Sequence, residues 1–175
     1  GLDAWLTEQQ QSLRALLAWL RNRQEWGLKI LVDRAVLAQR VATYSETLRD
    51  LRVQIEGKSQ GAAYFLVRRI QELTVEEVER VSFTLADEVH RSLAGQSVAA
   101  LLNALPSEDV EPEVQAVLNS AYLVADAQVA VLQRAVDAFA VEHAINGFRF
   151  QLTGPWPAYN FVAMASVAEE YSDGE

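Results

Sequence analysis

The sequence has 175 residues and no cysteine, which excludes disulfide frameworks, cysteine-ligated zinc and thiolate nucleophiles. Half of the residues are apolar and 22% are charged, the composition of a folded globular chain. The net charge of −9 is unevenly placed: residues 1–95 carry 13 basic and 13 acidic side chains, residues 96–175 carry 2 and 11. A field of that sign repels phosphate, so nucleic acid and anionic membranes are disfavoured as partners and a protein surface is expected. No apolar run approaches the roughly 18–20 residues of a membrane span, and no basic segment followed by an apolar stretch opens the chain, so a cytoplasmic location is expected.

Leu6, Leu13, Leu16, Leu17 and Leu20 recur at helical spacing, and Thr7 with Gln10 forms a capping-box pattern, which predicts a helix over about residues 4–23. The bulky run Glu25-Trp26-Gly27-Leu28-Lys29-Ile30-Leu31-Val32 reads as a strand, with Gly27 marking a bulge or a close backbone approach. From Leu37 the apolar positions Val41, Tyr44, Leu48, Leu51 and Ile55 follow a 4-3-4-3-4 spacing, a narrow seam along one helix. Gly57 and Gly61 bracket a loop. A second helix then carries Leu66, Ile70, Leu73, Val78, Val81, Leu85 and Val89 to a stop at Gly95, so residues 36–55 and 62–93 are expected to pack as a hairpin. The Thr74-to-Glu77 capping box predicts a restart within it.

Residues 97–103 and 118–124 read as strands joined by a solvated loop containing Pro106, Pro112 and the carboxylates Glu108, Asp109, Glu111 and Glu113. Asp126 is placed to cap a helix bearing Val129, Leu132, Val136 and Phe139, which ends before Asn146-Gly147. In 147–153, Phe148, Phe150 and Leu152 alternate with Arg149, Gln151 and Thr153, as a half-buried strand requires. The succession after the first helix is β-α-β-β-α-β, which predicts an α+β fold with a ferredoxin-like antiparallel sheet, a preceding helix and a long helical hairpin insertion. Residues 1–24 form the N-terminal helix, 25–162 one domain that includes the hairpin 34–94, and 163–175 an acidic tail. Strand 25–32 is expected in the centre, between 118–124 and 147–153.

Candidate chemistry is sparse. His143 sits at the end of an apolar helix face, and His90 follows Asp87 and Glu88 on a face read as solvated. Glu76, Glu77 and Glu79 offer converging carboxylates for a metal or a general acid, but acidic residues in a first helical turn are explained by the helix dipole. No phosphate loop, nucleophile elbow or paired-histidine motif is present, and nothing calls for a cofactor. A non-enzymatic role is expected; the remaining alternatives are a ligand-binding regulatory domain and an enzyme using the Glu76–Glu79 cluster.

The most unusual segment is Leu152-Thr153-Gly154-Pro155-Trp156-Pro157-Ala158-Tyr159-Asn160-Phe161-Val162, which crowds three aromatics among two prolines and a glycine. Either the aromatics cap the core or they form an interaction patch. The stiff prolines limit how many rings turn inward together. Trp156 is expected to pack on the domain, with at least one of Tyr159 and Phe161 left accessible to a partner.

From Thr153 to Val162 this segment resembles the C-terminal signature of the gas vesicle protein family GvpL/GvpF. Glu25-Trp26-Gly27-Leu28-Lys29 is similar to that family's central strand, Gly61-Ala62-Ala63-Tyr64-Phe65-Leu66 to its helix start, and Ser120-Ala121-Tyr122-Leu123-Val124 to its later strand. The resemblance spans about residues 5–162 and corresponds to the family's C-terminal part, without its N-terminal α+β domain; Ala158 departs from a pattern that commonly has proline. It implies an accessory or minor structural component of gas vesicle assembly with no catalytic residues. The implied partners are the hydrophobic shell protein and other accessory proteins of the gas vesicle.

Overall fold

A computed structural model describes residues 2–106 and 113–162, with side chains from residue 10 onward. Three of the acidic-loop residues, Glu108, Asp109 and Glu111, and the tail 163–175 lie outside the described residues.

Helix α1 (Leu2–Leu20) turns at Arg21-Asn22 into strand β1 (Arg23–Asp33). Asn22 takes φ +57°, a left-handed conformation that asparagine tolerates better than most residues. Because α1 already begins at Leu2, Thr7 lies inside it, and the expected capping box does not start the helix.

The seam from Leu37 to Ile55 is divided between two helices, α2 (Arg34–Tyr44) and α3 (Glu46–Ile55). Ser45 between them is extended at φ −72°, ψ 114°, and its hydroxyl accepts from the Leu48 amide, so a cap interrupts a continuous apolar pattern. Helix α4 (Gln60–Ala94) runs unbroken for about 50 Å. The expected restart at Thr74 is absent because its hydroxyl donates back to the Ile70 carbonyl at 2.7 Å, inside the helix. Both α2 and α3 pack along α4. Val41 and Leu48 of the expected seam are buried, whereas Leu51, Ile55 and Leu66 are only half-buried, where α3 packs on α2 and α4.

Strand β2 (Ala99–Leu102) is short, and β3 (Val114–Ala125) is longer than its sequence pattern suggests because residues 114–116 pair with 31–33 of β1. Asp126 opens a 3-10 turn, so the helix α5 (Val129–His143) starts three residues later than expected. Gly147, at φ +84°, then reverses the chain into β4 (Phe148–Trp156).

The sheet is antiparallel throughout in the order β2-β3-β1-β4, with β1 central. That is the ferredoxin-like order anticipated from the element succession. Gly27 marks a register shift against β4, and a Cβ there would meet the Thr153 hydroxyl at 3.0 Å. On the helix-covered face, Trp26, Leu28, Ile30, Val32, Tyr122, Leu132, Val136 and Phe148 form the main core, with Phe139 and Phe150 packed against it. The opposite face holds a smaller cluster of Ala121, Leu123 and Phe161, against which Trp19 and Leu20 of α1 pack.

Candidate interaction surfaces

Strand β4 continues through Pro155 to Trp156, three residues beyond the end at residue 153 expected from the sequence. An edge strand tolerates a missing donor. Its last residue is not folded onto the domain: Trp156 is 54% exposed, which overturns the expectation that it packs inward. Trp156 pairs with Glu25 and so faces the α1 side of the sheet, whereas Trp26 on the core face lies against Gly154, where a Cβ would meet the indole at 3.0 Å. Tyr159 is 73% exposed, while Phe161 is fully buried. A helical turn starting at Tyr159 turns Phe161 back onto Ala121 and Leu123. The three aromatics singled out by the sequence therefore divide into one anchor and two exposed rings.

Behind that anchor, the Glu25 carboxylate is buried on the α1 side of the sheet. The Asn160 backbone amide donates to its Oε2 at 3.2 Å and the Asn160 side-chain amide donates to Oε1. Arg23, two residues away on the same strand face, stacks its guanidinium over the Trp19 ring at 5.4 Å.

On the helix face, His90 is half-buried, not solvated. Its Nδ1 lies 3.0 Å from the Tyr122 hydroxyl, and the Ser120 hydroxyl lies 3.1 Å from the same oxygen. Burial lowers the His90 pKa and pushes the Tyr122 phenol up to about 12, with the Ser120 hydrogen bond working against the latter shift. The chain of donors that satisfies all three groups runs from Ser120 to Tyr122 to a neutral His90. Above it lies an open groove of about 360 Å³ between α4 and the β2–β3 edge, walled by Phe83, Ala86, Leu102, Leu105, Val117 and Leu118. A recess of about 170 Å³ continues it past Phe83 and Leu105 to Arg34, Glu79 and Gln115. The stripe Phe83, Ala86, Asp87 and His90 that lines this groove has i, i+3, i+4, i+7 spacing beside the seam Val78-Val81-Leu85-Val89, a signal present in the sequence.

The other candidates separate. Glu76, Glu77 and Glu79 lie in the middle of α4 and not at a helix start. Glu77 accepts from Arg80 at 2.7 Å, which holds its carboxyl below the usual range, and Glu79 pairs with Arg34 at 3.8 Å. His143 stacks on Phe139 and meets Phe148 edge-on, with ring centroids 6.4 and 6.2 Å away. Among the described residues no group of three or more histidine, aspartate or glutamate side chains is placed to hold a metal ion, and no helix is long and apolar enough to cross a membrane.

A four-stranded antiparallel sheet with a long helical hairpin on one face defines an α+β protein. Its family is shown directly: residues 1–163 match the model described as Gas vesicle synthesis protein GvpL/GvpF, and the chain belongs to that family. The fold is similar to the crystal structure of the gas vesicle protein GvpF from Anabaena sp. PCC7120, with TM-score 0.64 and 19% identity over 91% of this chain and 62% of that one. It is also similar to GvpF from Microcystis aeruginosa, with TM-score 0.52 and 17% identity over 86% of this chain and 59% of that one. The chain thus spans about three fifths of the length of these GvpF structures. No curated protein matches it. Family membership supports a gas vesicle-related role.

Proposed function

We propose that this protein is a non-enzymatic accessory factor for gas vesicle assembly that binds the hydrophobic shell protein and other factors of the same assembly, in the cytoplasm and at the gas vesicle. The observation that carries this reading is the family match over residues 1–163. The domain boundaries at 25 and 162, with an acidic tail beyond, belong to the same proposal. Physically, a shell subunit with large apolar surfaces aggregates unless those surfaces are shielded before incorporation. An acidic partner stays soluble while lending aromatic surface, and Trp156 and Tyr159, exposed on either side of Pro157, supply it. Phe161 serves as the anchor beneath them.

The test is a pull-down of the shell protein by the purified chain, alone and joined to the N-terminal domain of a full-length relative. Retention of the shell protein, weakened by Trp156→Ala with Tyr159→Ala, is the expected result. Absence of association in both formats overturns the reading.

A further inference from the structure

We propose that the exposed face of α4 between Gly61 and Glu76 docks on the same face of a second copy of this chain, with the two helices antiparallel about a two-fold axis near Gln71. The proposal goes beyond the reading of the protein as an assembly factor and does not depend on it, and its surface is distinct from Trp156 and Tyr159.

The face carries large apolar groups that stand in solvent. Tyr64, Phe65, Arg68, Glu72, Val75 and Glu76 fall on one side of α4 at i, i+1, i+4, i+8, i+11 and i+12. Ala63, Leu66, Ile70 and Leu73 on the opposite side are half-buried, and α2 and α3 pack along the helix. Tyr64 is 63% exposed, Phe65 72% and Val75 48%, and the two rings meet edge to face with centroids 5.9 Å apart. Exposed aromatics beside an arginine have the composition of an interface centre.

Charge names the occupant. Residues 60–70 carry Arg68 and Arg69 and no acid, whereas 71–79 carry Glu72, Glu76, Glu77 and Glu79 and no base. Arg68 and Arg69 both lean on Glu72, at 3.3 and 3.6 Å, so two cations share one carboxylate. Glu77 and Glu79 are engaged by Arg80 and Arg34, whereas Glu76 has no ion pair among the described residues. An unmatched positive charge therefore precedes an unmatched negative one on the same helix. Such a face complements itself when turned end to end. A two-fold axis near Gln71 sets Arg68 and Arg69 of each copy against Glu72 and Glu76 of the other, and lays Tyr64 and Phe65 over Val75. A parallel pair opposes like charges instead. The face extends about 18 Å from Tyr64 to Glu76, which places the dimer among the small, weak interfaces.

The experiment is sedimentation equilibrium of the full chain at concentrations from about 10 μM to 1 mM, the range of a weak interface. A monomer–dimer equilibrium that weakens with salt is expected. Phe65→Asp should weaken it by at least about tenfold. A chain carrying Arg68→Glu with Arg69→Glu, and another carrying Glu72→Arg with Glu76→Arg, should each stay monomeric and associate with each other when mixed. Because the protein has no cysteine, single cysteines report the orientation. Gln71→Cys, beside the axis, should form a disulfide-linked dimer on mild oxidation. Tyr64→Cys should not, because the antiparallel pair holds its two copies about 21 Å apart. All of these positions are exposed, and an unchanged circular dichroism spectrum confirms that each variant folds.

A chain that remains monomeric at about 1 mM overturns the proposal. So does a dimer indifferent to Phe65→Asp and to the charge reversals, which uses another face, or a failure of the two reversed chains to associate. Cross-linking through Tyr64→Cys in place of Gln71→Cys overturns it as well, since the pair is then parallel. Each of these outcomes leaves the shell-protein pull-down unaffected as a test of the function itself.

Discussion

Asn160 closes over Glu25: two amide groups of one residue, backbone and side chain, converge on a carboxylate that is 4% exposed and 135 positions earlier in the chain. The contact joins the C-terminal aromatic segment to the central strand. Hydrogen bonds to an ionised acceptor contribute more than neutral ones, and a buried charge stripped of them retains its desolvation cost. Asn160→Ala should therefore destabilise the fold by about 1–3 kcal/mol in urea unfolding. In a double-mutant cycle, Asn160→Ala should cost less when Glu25 is already glutamine. A strictly additive cycle shows that the pair is not coupled.

Phe161 and Tyr159 are two residues apart and differ in what they contribute. Phe161→Ala removes a ring buried against Ala121 and Leu123 and should cost about 3–5 kcal/mol. Tyr159→Ala, at an exposed position, should stay within about 0.5 kcal/mol of the parent protein. Chemical denaturation of the two variants side by side checks the division between anchor and exposed ring.

The His90–Tyr122 pair predicts a pH dependence on both sides of neutrality. Burial lowers the His90 pKa in the folded state, so as pH falls below about 6.5 the unfolded chain binds the proton first and stability declines. Tyr122 is shifted the other way, so between pH 10 and about 12 the folded state holds a proton that the unfolded state has released, and stability declines as pH rises. Replacing His90 by Gln should flatten the acid limb, and Tyr122→Phe the alkaline one. Thermal melts across the pH range test both.

Gly147 is required at the turn into β4. Its φ of +84° suits glycine, and a Cβ would lie 3.0 Å from the Val36 Cβ and 3.1 Å from the Asp33 carbonyl. Gly147→Ala should lower stability by more than about 1 kcal/mol, and a thermal melt reads it directly. Gly57 also has positive φ, at +78°, but has open space around it, so Gly57→Ala should cost less.

By itself, the sequence determined the periodic parts of this protein. Alternation in β4, the helical spacing of α4 and α5 and the bulky run of β1 are local patterns, and their succession placed β1 between β3 and β4 because only a few connections satisfy β-α-β-β-α-β. The aromatic and proline pattern after Leu152 carried the family. Tertiary structure decided what depends on neighbours distant in sequence. The interruption at Ser45 follows from a cap that the apolar seam conceals, and the length of β3 follows from residues 31–33 offering a partner. That one of Tyr159 and Phe161 stays accessible was expected and Tyr159 does, but the exposure of Trp156 and the choice of Phe161 as the buried ring were not legible, because both depend on which sheet face each ring meets. Trp156, on edge strand β4 and paired with Glu25, faces the α1 side and stays exposed, whereas Phe161 packs beside Ala121 and Leu123 on that same side. His90 changed from a surface residue to one partner of a buried tyrosine for the same reason: its environment is set by β3, 32 positions later in the chain.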